Sequence, residues 1–182
     1  AEQRPEDAQL QFQAGLFLAA LQPDQALDYL SRASRLDSRL ARPTDRLTQA
    51  ILHAQRQTIP AEPGSQPAEV SPAYLFLSSG RALAALDEWL LATHAFKHAT
   101  DIQPDYAEAW AYLGEARTHT AADEQDMLLG LADIQHALKI DPASYKARLM
   151  LGDILRAQNK PAEAQAAIEA LIKAEPNNAT GY

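Results

Sequence analysis

The chain lacks cysteine altogether, which excludes disulfide bonds and thiolate zinc sites and leaves the cellular compartment undetermined. Aromatic residues make up only 7% of it, and its seven glycines are too dispersed to form a phosphate-binding loop. The sequence has no run of about 18 apolar residues, so we expect no membrane insertion. Basic residues are also few, because 16 Lys and Arg stand against 24 Asp and Glu. The resulting net charge of −8 argues against nucleic-acid binding.

What is present is a repeat in the last part of the chain. Each copy has Gly, then Ala or Gly, then Ala or Leu, then Pro, at intervals of 12, 7 and 5 residues, with 16 replacing 12 in the middle copy. The three copies are Gly80–Ala92–Ala99–Pro104, Gly114–Gly130–Ala137–Pro142 and Gly152–Ala164–Leu171–Pro176. A period of about 34 residues in a helical pattern predicts stacked helix hairpins, in an all-α, right-handed solenoid.

The pattern divides the chain into four parts. The first part, residues 1–58, contains a divergent N-terminal hairpin that we expect over 6–38 and one long helix that we expect over 43–58. A proline-rich linker or loop over 59–72 follows, and its alternative is an extended segment that lies along a groove. The three hairpins occupy 73–176, and 177–182 form a tail or the start of a truncated further repeat.

Helical spacing of apolar residues predicts which faces are buried. In the N-terminal hairpin the expected stripes are Leu10, Ala14, Phe17, Leu18 and Leu21, followed by Ala26, Leu27, Leu30, Ala33 and Leu36. In the three later hairpins we expect helices near 73–86, 88–101, 107–121, 124–140, 145–158 and 161–174. The glycines of the repeat are expected where two helices of a hairpin cross, because a side chain there would push the helices apart.

The segment 105–114 resembles the first helix of the tetratricopeptide repeat family, because Trp110, Leu113 and Gly114 match its Trp-x-x-Leu-Gly core. The other copies depart from this pattern. Phe76 and Arg148 stand at the Trp position, and Ser79 stands at the Leu position. The resemblance implies a non-catalytic scaffold that binds a peptide or a partner protein on the concave face of the solenoid.

In this family the first helix of each hairpin lines the concave face, and the resemblance transfers that role to particular positions. They are Tyr74, Leu77, Arg81, Glu108, Ala111, Tyr112, Glu115, Lys146, Leu149, Asp153 and Arg156. Members that grip a C-terminal carboxylate use Lys and Asn at defined groove positions. This chain has Leu77, Arg81 and Glu115 in that neighbourhood, so the resemblance does not predict that specificity.

Candidates for catalysis or metal binding are few. His94 and His98 lie four residues apart on one helix, but no nearby carboxylate completes a metal site, so we expect solvated histidines, with His136 equivalent to His98. We see no nucleophile elbow and no paired carboxylates, and we expect neither enzymatic activity nor a cofactor or metal.

Two further features leave alternatives open. The middle copy has four extra residues within 117–127. The acidic segment 118–126 in this region suits a helix N-terminus, and its alternative is an acidic corner that contacts a partner. A scaffold is the first functional hypothesis. The alternatives are a regulatory or sensor segment of a larger enzyme or regulator, and self-association through an uncapped last repeat.

Overall fold

The computed structural model describes residues 7–56, 71–157 and 160–174, in which helices are joined by short turns and no strand occurs. The chain divides into two compact units, Ala1–Ile102 and Gln103–Tyr182. Unit 1 contains α1 Ala8–Leu21, α2 Pro23–Leu36, α3 Ala41–Arg56, α4 Pro72–Ala84 and α5 Trp89–Ile102. Unit 2 contains α6 Ala107–Thr120, α7 Glu124–Ile140, α8 Tyr145–Ala157 and α9 Pro161–Ala174. For these residues the all-α expectation is confirmed.

The helices pair as the repeat predicts, in the hairpins α1–α2, α4–α5, α6–α7 and α8–α9. The bounds of the last six helices lie within two residues of the expected ones. Pro23, Pro72 and Pro161 each open a helix, where the missing amide hydrogen of proline costs nothing. Residues 57–58 of the expected long helix, residues 59–70 of the expected linker, Pro176 and the tail 177–182 lie outside the described residues.

A short 3₁₀ turn, Ser38–Leu40, precedes α3. The carboxylate of Asp37 accepts a hydrogen bond of 2.9 Å from the backbone amide of Arg39 and closes this turn. The side-chain and backbone hydrogen bonds from Arg39 hold the pKa of Asp37 below its usual value. α3 begins at Ala41, directly after this turn and two residues before Pro43, where the sequence predicted its start.

Within each hairpin, the glycine of the first helix lies against the second helix. A Cβ atom on Gly114 would lie 2.6 Å from the carbonyl oxygen of Gly130, and one on Gly130 would lie 2.8 Å from the carbonyl oxygen of Gly114. A bulky side chain of the second helix also lies against the glycine of each first helix, with Ile134 against Gly114, Phe96 against Gly80, Ile168 against Gly152 and Leu30 against Gly15. The predicted role of these glycines, to let two helices cross closely, is confirmed.

The four-residue insertion of the middle copy lengthens both helices of the α6–α7 hairpin. α6 continues six residues past Gly114, whereas α4 continues four past Gly80, and α7 starts six residues before Gly130. The α7 start is capped reciprocally: Asp123 accepts from the amide of Asp126 at 2.9 Å, and Asp126 accepts from the amide of Ala122 at 3.2 Å. The helix-start interpretation of this acidic segment is therefore confirmed.

An ion pair ties the two helices of the α6–α7 hairpin together. Nη1 of Arg117 lies 2.7 Å from Oδ2 of Asp133, whose side chain is only 9% exposed. Removal of one partner from such a pair leaves a buried charge uncompensated, which is costly. The pair therefore favours one register between α6 and α7.

The expected buried stripe of α1 is wrong in part. Leu10 is 62% exposed and Phe17 is 56% exposed, while the buried residues are Gly15, Leu16, Ala19 and Ala20. α1 is apolar around most of its circumference, so periodicity alone does not select the face that packs on α4 and α5. In α2 the expectation holds for Ala26, Leu30 and Ala33, whereas Leu36 is 49% exposed.

The contact between α1 and α4 explains why serine replaces leucine at the Leu position of the first full copy. The hydroxyl of Ser79 is buried and donates a hydrogen bond of 2.6 Å to the backbone carbonyl of Ala19. The residue four positions after Ala19 is Pro23, which has no amide hydrogen to offer that carbonyl. Ser79 therefore supplies the hydrogen bond that the α1 backbone cannot make for itself.

Candidate functional site

The residues predicted to line the groove fall on α4 in unit 1 and on α6 and α8 in unit 2. Leu77 and Ala111 are fully buried, so the expectation that they present exposed side chains was wrong. Ala111 belongs to a core cluster that contains Ala147 and Met150 of α8, because the first helix of the next hairpin packs at this position. The other nine predicted residues are partly or fully exposed.

In unit 2, a lysine links the first helices of two successive hairpins. Nζ of Lys146, on α8, lies 3.1 Å from Oε2 of Glu115 on α6. The same Nζ lies 4.3 Å from the ring centroid of Tyr112, also on α6. The Lys146 and Glu115 side chains are 23% and 20% exposed, so this cation–π and ion-pair contact is partly shielded from water. Three of the predicted residues are thus brought together, and we call them the Tyr112–Glu115–Lys146 cluster.

Beside this cluster lies a cleft of about 230 Å³ between α6, α7 and α8. Its lining combines two acidic side chains, a histidine and three long apolar side chains, and consists of Glu115, Thr118, His119, Met127, Met150, Asp153 and Ile154. Only Glu115 and Asp153 were predicted. The sequence reasoning missed Met127 because it considered the first helices alone, and Met127 lies on α7.

In unit 1, a cleft of about 420 Å³ lies between α3 and α4. α3 contributes Arg46, Ala50 and His53, which are spaced i, i+4 and i+7 along one face. The α4 side and the turn after it contribute Tyr74, Ser78, Arg81, Ala82 and Ala85. Nη1 of Arg46 donates to the carbonyl of Ala85 at 2.9 Å and joins the two sides. Sequence reasoning placed Tyr74 and Arg81 in a groove but missed the α3 residues, because α3 lies outside the repeat.

Two different side chains, Trp110 and Arg148, form the same kind of hydrogen bond at the Trp position of the repeat. Nε1 of Trp110 donates to the carbonyl of Pro104 at 2.8 Å. Nε of Arg148 donates to the carbonyl of Pro142, also at 2.8 Å, and Pro142 likewise lies six residues before its donor. Arg148 therefore replaces the consensus tryptophan as a donor to the turn that precedes the helix. This contact stabilises the fold rather than a binding surface.

His98 and His136 contact the aromatic residues that stand at the Trp position of their copies. His98 stacks on Phe76 with ring centroids 5.1 Å apart, and His136 meets Trp110 edge-on at 4.5 Å. His94 is exposed, but His98 is half-buried, so the expectation of a solvated residue was wrong for His98. Within residues 7–56, 71–157 and 160–174, no group of three His, Asp or Glu side chains could hold a metal ion.

Comparisons with known proteins agree with this geometry. The tetratricopeptide repeat family model matches residues 121–181. The first TPR domain of Spaghetti (RPAP3), solved bound to the HSP90 peptide SRMEEVD, superposes with a TM-score of 0.54 at 18% identity, and covers 60% of this chain and 86% of that one. The family model thus covers residues 121–181 alone, and the superposition shows a shared fold.

Two other tetratricopeptide repeat structures extend over nearly the whole chain. YrrB, described as having an unusual peptide-binding site, has a TM-score of 0.53 at 17% identity, with 97% of this chain and 90% of that one covered. A thermophilic TPR protein of Thermus thermophilus also has a TM-score of 0.53 at 17% identity, with 93% and 75% covered. At these identities the likeness shows a shared fold. Curated protein sequences give no match, and no described helix is long and apolar enough to cross a bilayer.

Proposed function

We propose that this chain is a non-catalytic interaction module that binds a peptide or a partner protein along the first helices of its hairpins. The observation that carries the proposal is the Tyr112–Glu115–Lys146 cluster. It joins two successive first helices at 3.1 Å and 4.3 Å and holds their side chains in one arrangement. A surface ordered before binding loses less side-chain entropy when a ligand arrives.

The neighbouring cleft supports a polypeptide ligand rather than a small molecule. Its volume of about 230 Å³ is below the roughly 300–1,000 Å³ that small-molecule sites usually have. Met127 and Met150 supply flexible, polarisable side chains that adapt to different apolar anchors. The cleft therefore suits one side chain of a longer segment. Its two carboxylates are already paired within the chain, Glu115 with Lys146 at 3.1 Å and Asp153 with Arg156 at 2.9 Å.

The proposed contact residues belong to each unit separately. In unit 1 they are Tyr74 and Arg81. In unit 2 they are Glu108, Tyr112, Glu115, Lys146, Leu149, Asp153 and Arg156. Two structural neighbours, the Spaghetti domain solved with an HSP90 peptide and YrrB with its unusual peptide-binding site, favour the same kind of ligand.

The test is affinity capture from cells that produce the protein, with parent chain and variants as bait. The double variant Tyr112→Ala, Lys146→Ala removes the cluster and should lose the proteins that the parent retains. Gln135→Ala, at an exposed position of α7, is the matched control and should retain them. Circular dichroism checks that all baits are helical. Equal retention by the double variant and the parent would refute a binding role for this surface.

A further inference from the structure

We propose that Met127, on α7 of unit 2, is a reversible oxidation site for hydrogen peroxide, and that its oxidation loosens the packing of α8. The chain has two methionines and no cysteine, so its sulfur chemistry is confined to Met127 and Met150. Both methionines line the cleft of about 230 Å³ between α6, α7 and α8. The proposal goes beyond the interaction function, because it assigns a chemical modification that requires no partner protein.

The two methionines differ in their access to solvent. Met150 is only 7% exposed. Met127 is more exposed, and it also lines a second open cleft, of about 550 Å³, beside the turn between α6 and α7. A small oxidant therefore has access to Met127 from two clefts. Hydrogen peroxide is uncharged, so the net charge of −8 does not repel it. We assign the faster reaction to Met127.

The reaction is a two-electron transfer of oxygen to the thioether. The Sδ atom of Met127 attacks one peroxide oxygen, so that an S–O bond forms and the O–O bond breaks. Sulfur loses two electrons, and the second peroxide oxygen leaves as water. In the reverse reaction a methionine sulfoxide reductase uses a dithiol, which is oxidised to a disulfide while the sulfoxide oxygen leaves as water. The modification therefore adds one polar oxygen to an apolar side chain and is reversible.

The added oxygen has no suitable partner in the packing of Met127. Met127 packs against the core cluster that joins α8 to α6 and α7. The cluster consists of Ala111, Ile134, Ala137, Ala147, Met150 and Ile154, whose side chains have no hydrogen-bond donor for a sulfoxide oxygen. A polar group without a partner is costly in such surroundings, so the oxidised side chain turns towards solvent and leaves the cluster. Oxidation therefore lowers the stability of unit 2.

The cleft is also the place assigned above to one side chain of a ligand. Oxidation of Met127 would make this cleft more polar and weaken the binding of an apolar anchor, and this consequence rests on the proposed function. The oxidation site itself is tested on the chain alone, by mass and by unfolding. Its failure would therefore leave the interaction function standing, and a failed capture experiment would leave the oxidation site standing.

The first experiment compares the oxidation rates of the two methionines. The full chain is treated with hydrogen peroxide, and mass spectrometry measures the tryptic peptides 118–139 and 149–156, which separate Met127 from Met150. In the folded protein we expect Met127 to oxidise at least about fivefold faster, because Met150 is shielded. In urea-unfolded protein the two rates should agree within about twofold. Equal rates in the folded protein, or faster oxidation of Met150, would overturn the proposal.

The second experiment measures the structural effect in unit 2. Urea unfolding is followed by the fluorescence of Trp110, the one tryptophan of unit 2, in a Trp89→Phe background. We expect oxidation of Met127 to lower the urea midpoint by at least about 0.5 M, and a methionine sulfoxide reductase with a dithiol to restore the midpoint. An oxidised protein that unfolds at the untreated midpoint would refute the effect on packing.

Two leucine variants identify the responsible sulfur, because leucine keeps the apolar character and nearly the volume of methionine. Under the same peroxide treatment, the midpoint of Met127→Leu should fall by less than about 0.1 M. Met150→Leu is the matched control in the same cleft, and its midpoint should fall as far as that of the parent background. An undiminished loss in Met127→Leu, or protection by Met150→Leu, would show that Met127 is not the site.

Discussion

Unit 1 and unit 2 build their hairpins by the same contact but present different clefts beside the first helix. In both, a glycine of the first helix lies against a bulky residue of the second, Phe96 in unit 1 and Ile134 in unit 2. Beside the first helix, however, unit 1 has a cleft with two arginines, made with α3. Unit 2 has a cleft with two carboxylates and two methionines, made by α6, α7 and α8.

This difference shows that the repeat sequence specifies the contacts within each hairpin, whereas the adjacent helices specify the clefts. The hairpin contact depends on residues 16 or 20 positions apart that recur in phase, so each copy forms it in the same way. The clefts depend on the helix that packs beside each first helix, and this is α3 for α4 but α8 for α6. Ser79 shows the same principle, because its partner Ala19 belongs to α1, which is 60 residues away in the chain.

The largest expected effect on stability comes from adding a side chain at Gly114, where α6 and α7 of unit 2 cross. In Gly114→Ala, the new Cβ would lie 2.6 Å from the backbone oxygen of Gly130, which cannot move without α7, and we expect a loss of about 3 kcal/mol. In Gly80→Ala, the nearest atoms all belong to the Phe96 ring rather than to the backbone, and we expect a smaller loss of about 1 kcal/mol. The comparison between units would fail if both losses were equal.

The two tryptophans allow this measurement in each unit separately. Trp89 lies in unit 1 and Trp110 in unit 2, and the chain has no other tryptophan. Urea unfolding of Gly80→Ala is followed by Trp89 fluorescence in a Trp110→Phe background, and Gly114→Ala by Trp110 fluorescence in a Trp89→Phe background. Ala132→Leu, at an exposed position of α7, is the control and should change stability by less than about 0.5 kcal/mol.

A smaller effect is expected from removing the hydrogen bond of Ser79, which stands in the first copy where the other two copies have Leu113 and Leu151. Ser79→Ala leaves the buried carbonyl of Ala19 without a donor, because Pro23 has none, and should cost about 1–2 kcal/mol. Ser34→Ala is the control, since that hydroxyl bonds only the carbonyl of Ser31 on its own helix. Trp89 fluorescence during urea unfolding measures both, and equal stability of the two variants would show that Ser79 does not hold α1 to α4.

The smallest expected effect on stability concerns Arg148, which is equivalent to Trp110 within unit 2. Arg148→Trp restores the family residue, and its indole can donate to Pro142 as Trp110 does to Pro104, so we expect a change within about 0.5 kcal/mol. Arg148→Ala removes the donor and should cost about 1 kcal/mol. Calorimetric melting temperatures compare them. If both variants melt together, the hydrogen bond to Pro142 contributes nothing to stability.

Prediction from sequence succeeded where a local pattern was enough. The spacing of Gly114, Gly130 and Pro142 placed α6 and α7 and identified the helix crossing, because these are contacts within one hairpin. It failed where a face depends on distant neighbours. Leu77 and Ala111 were assigned to a groove but are buried, since other helices pack on them. Leu10 and Phe17 were assigned to a core but are more than half exposed.

Prediction of the candidate site residues also failed where contacts between distant helices decide the outcome. The repeat register correctly put Tyr112, Glu115 and Lys146 on successive first helices, but the distance between Lys146 and Glu115 follows from how α6 and α8 pack. Arg46 and His53 were not found at all. α3 does not repeat, so no register assigned a function to its exposed face.

By itself the sequence determined the helices, their pairing into hairpins and the glycines that let paired helices approach, because propensity, proline positions and in-phase spacing all act over one hairpin. Only the tertiary structure decided which apolar faces are covered and which charged side chains meet. Those outcomes depend on contacts between helices far apart in the chain, where one residue's burial is set by another helix's position. The cleft between α3 and α4 and the Tyr112–Glu115–Lys146 cluster are products of that packing.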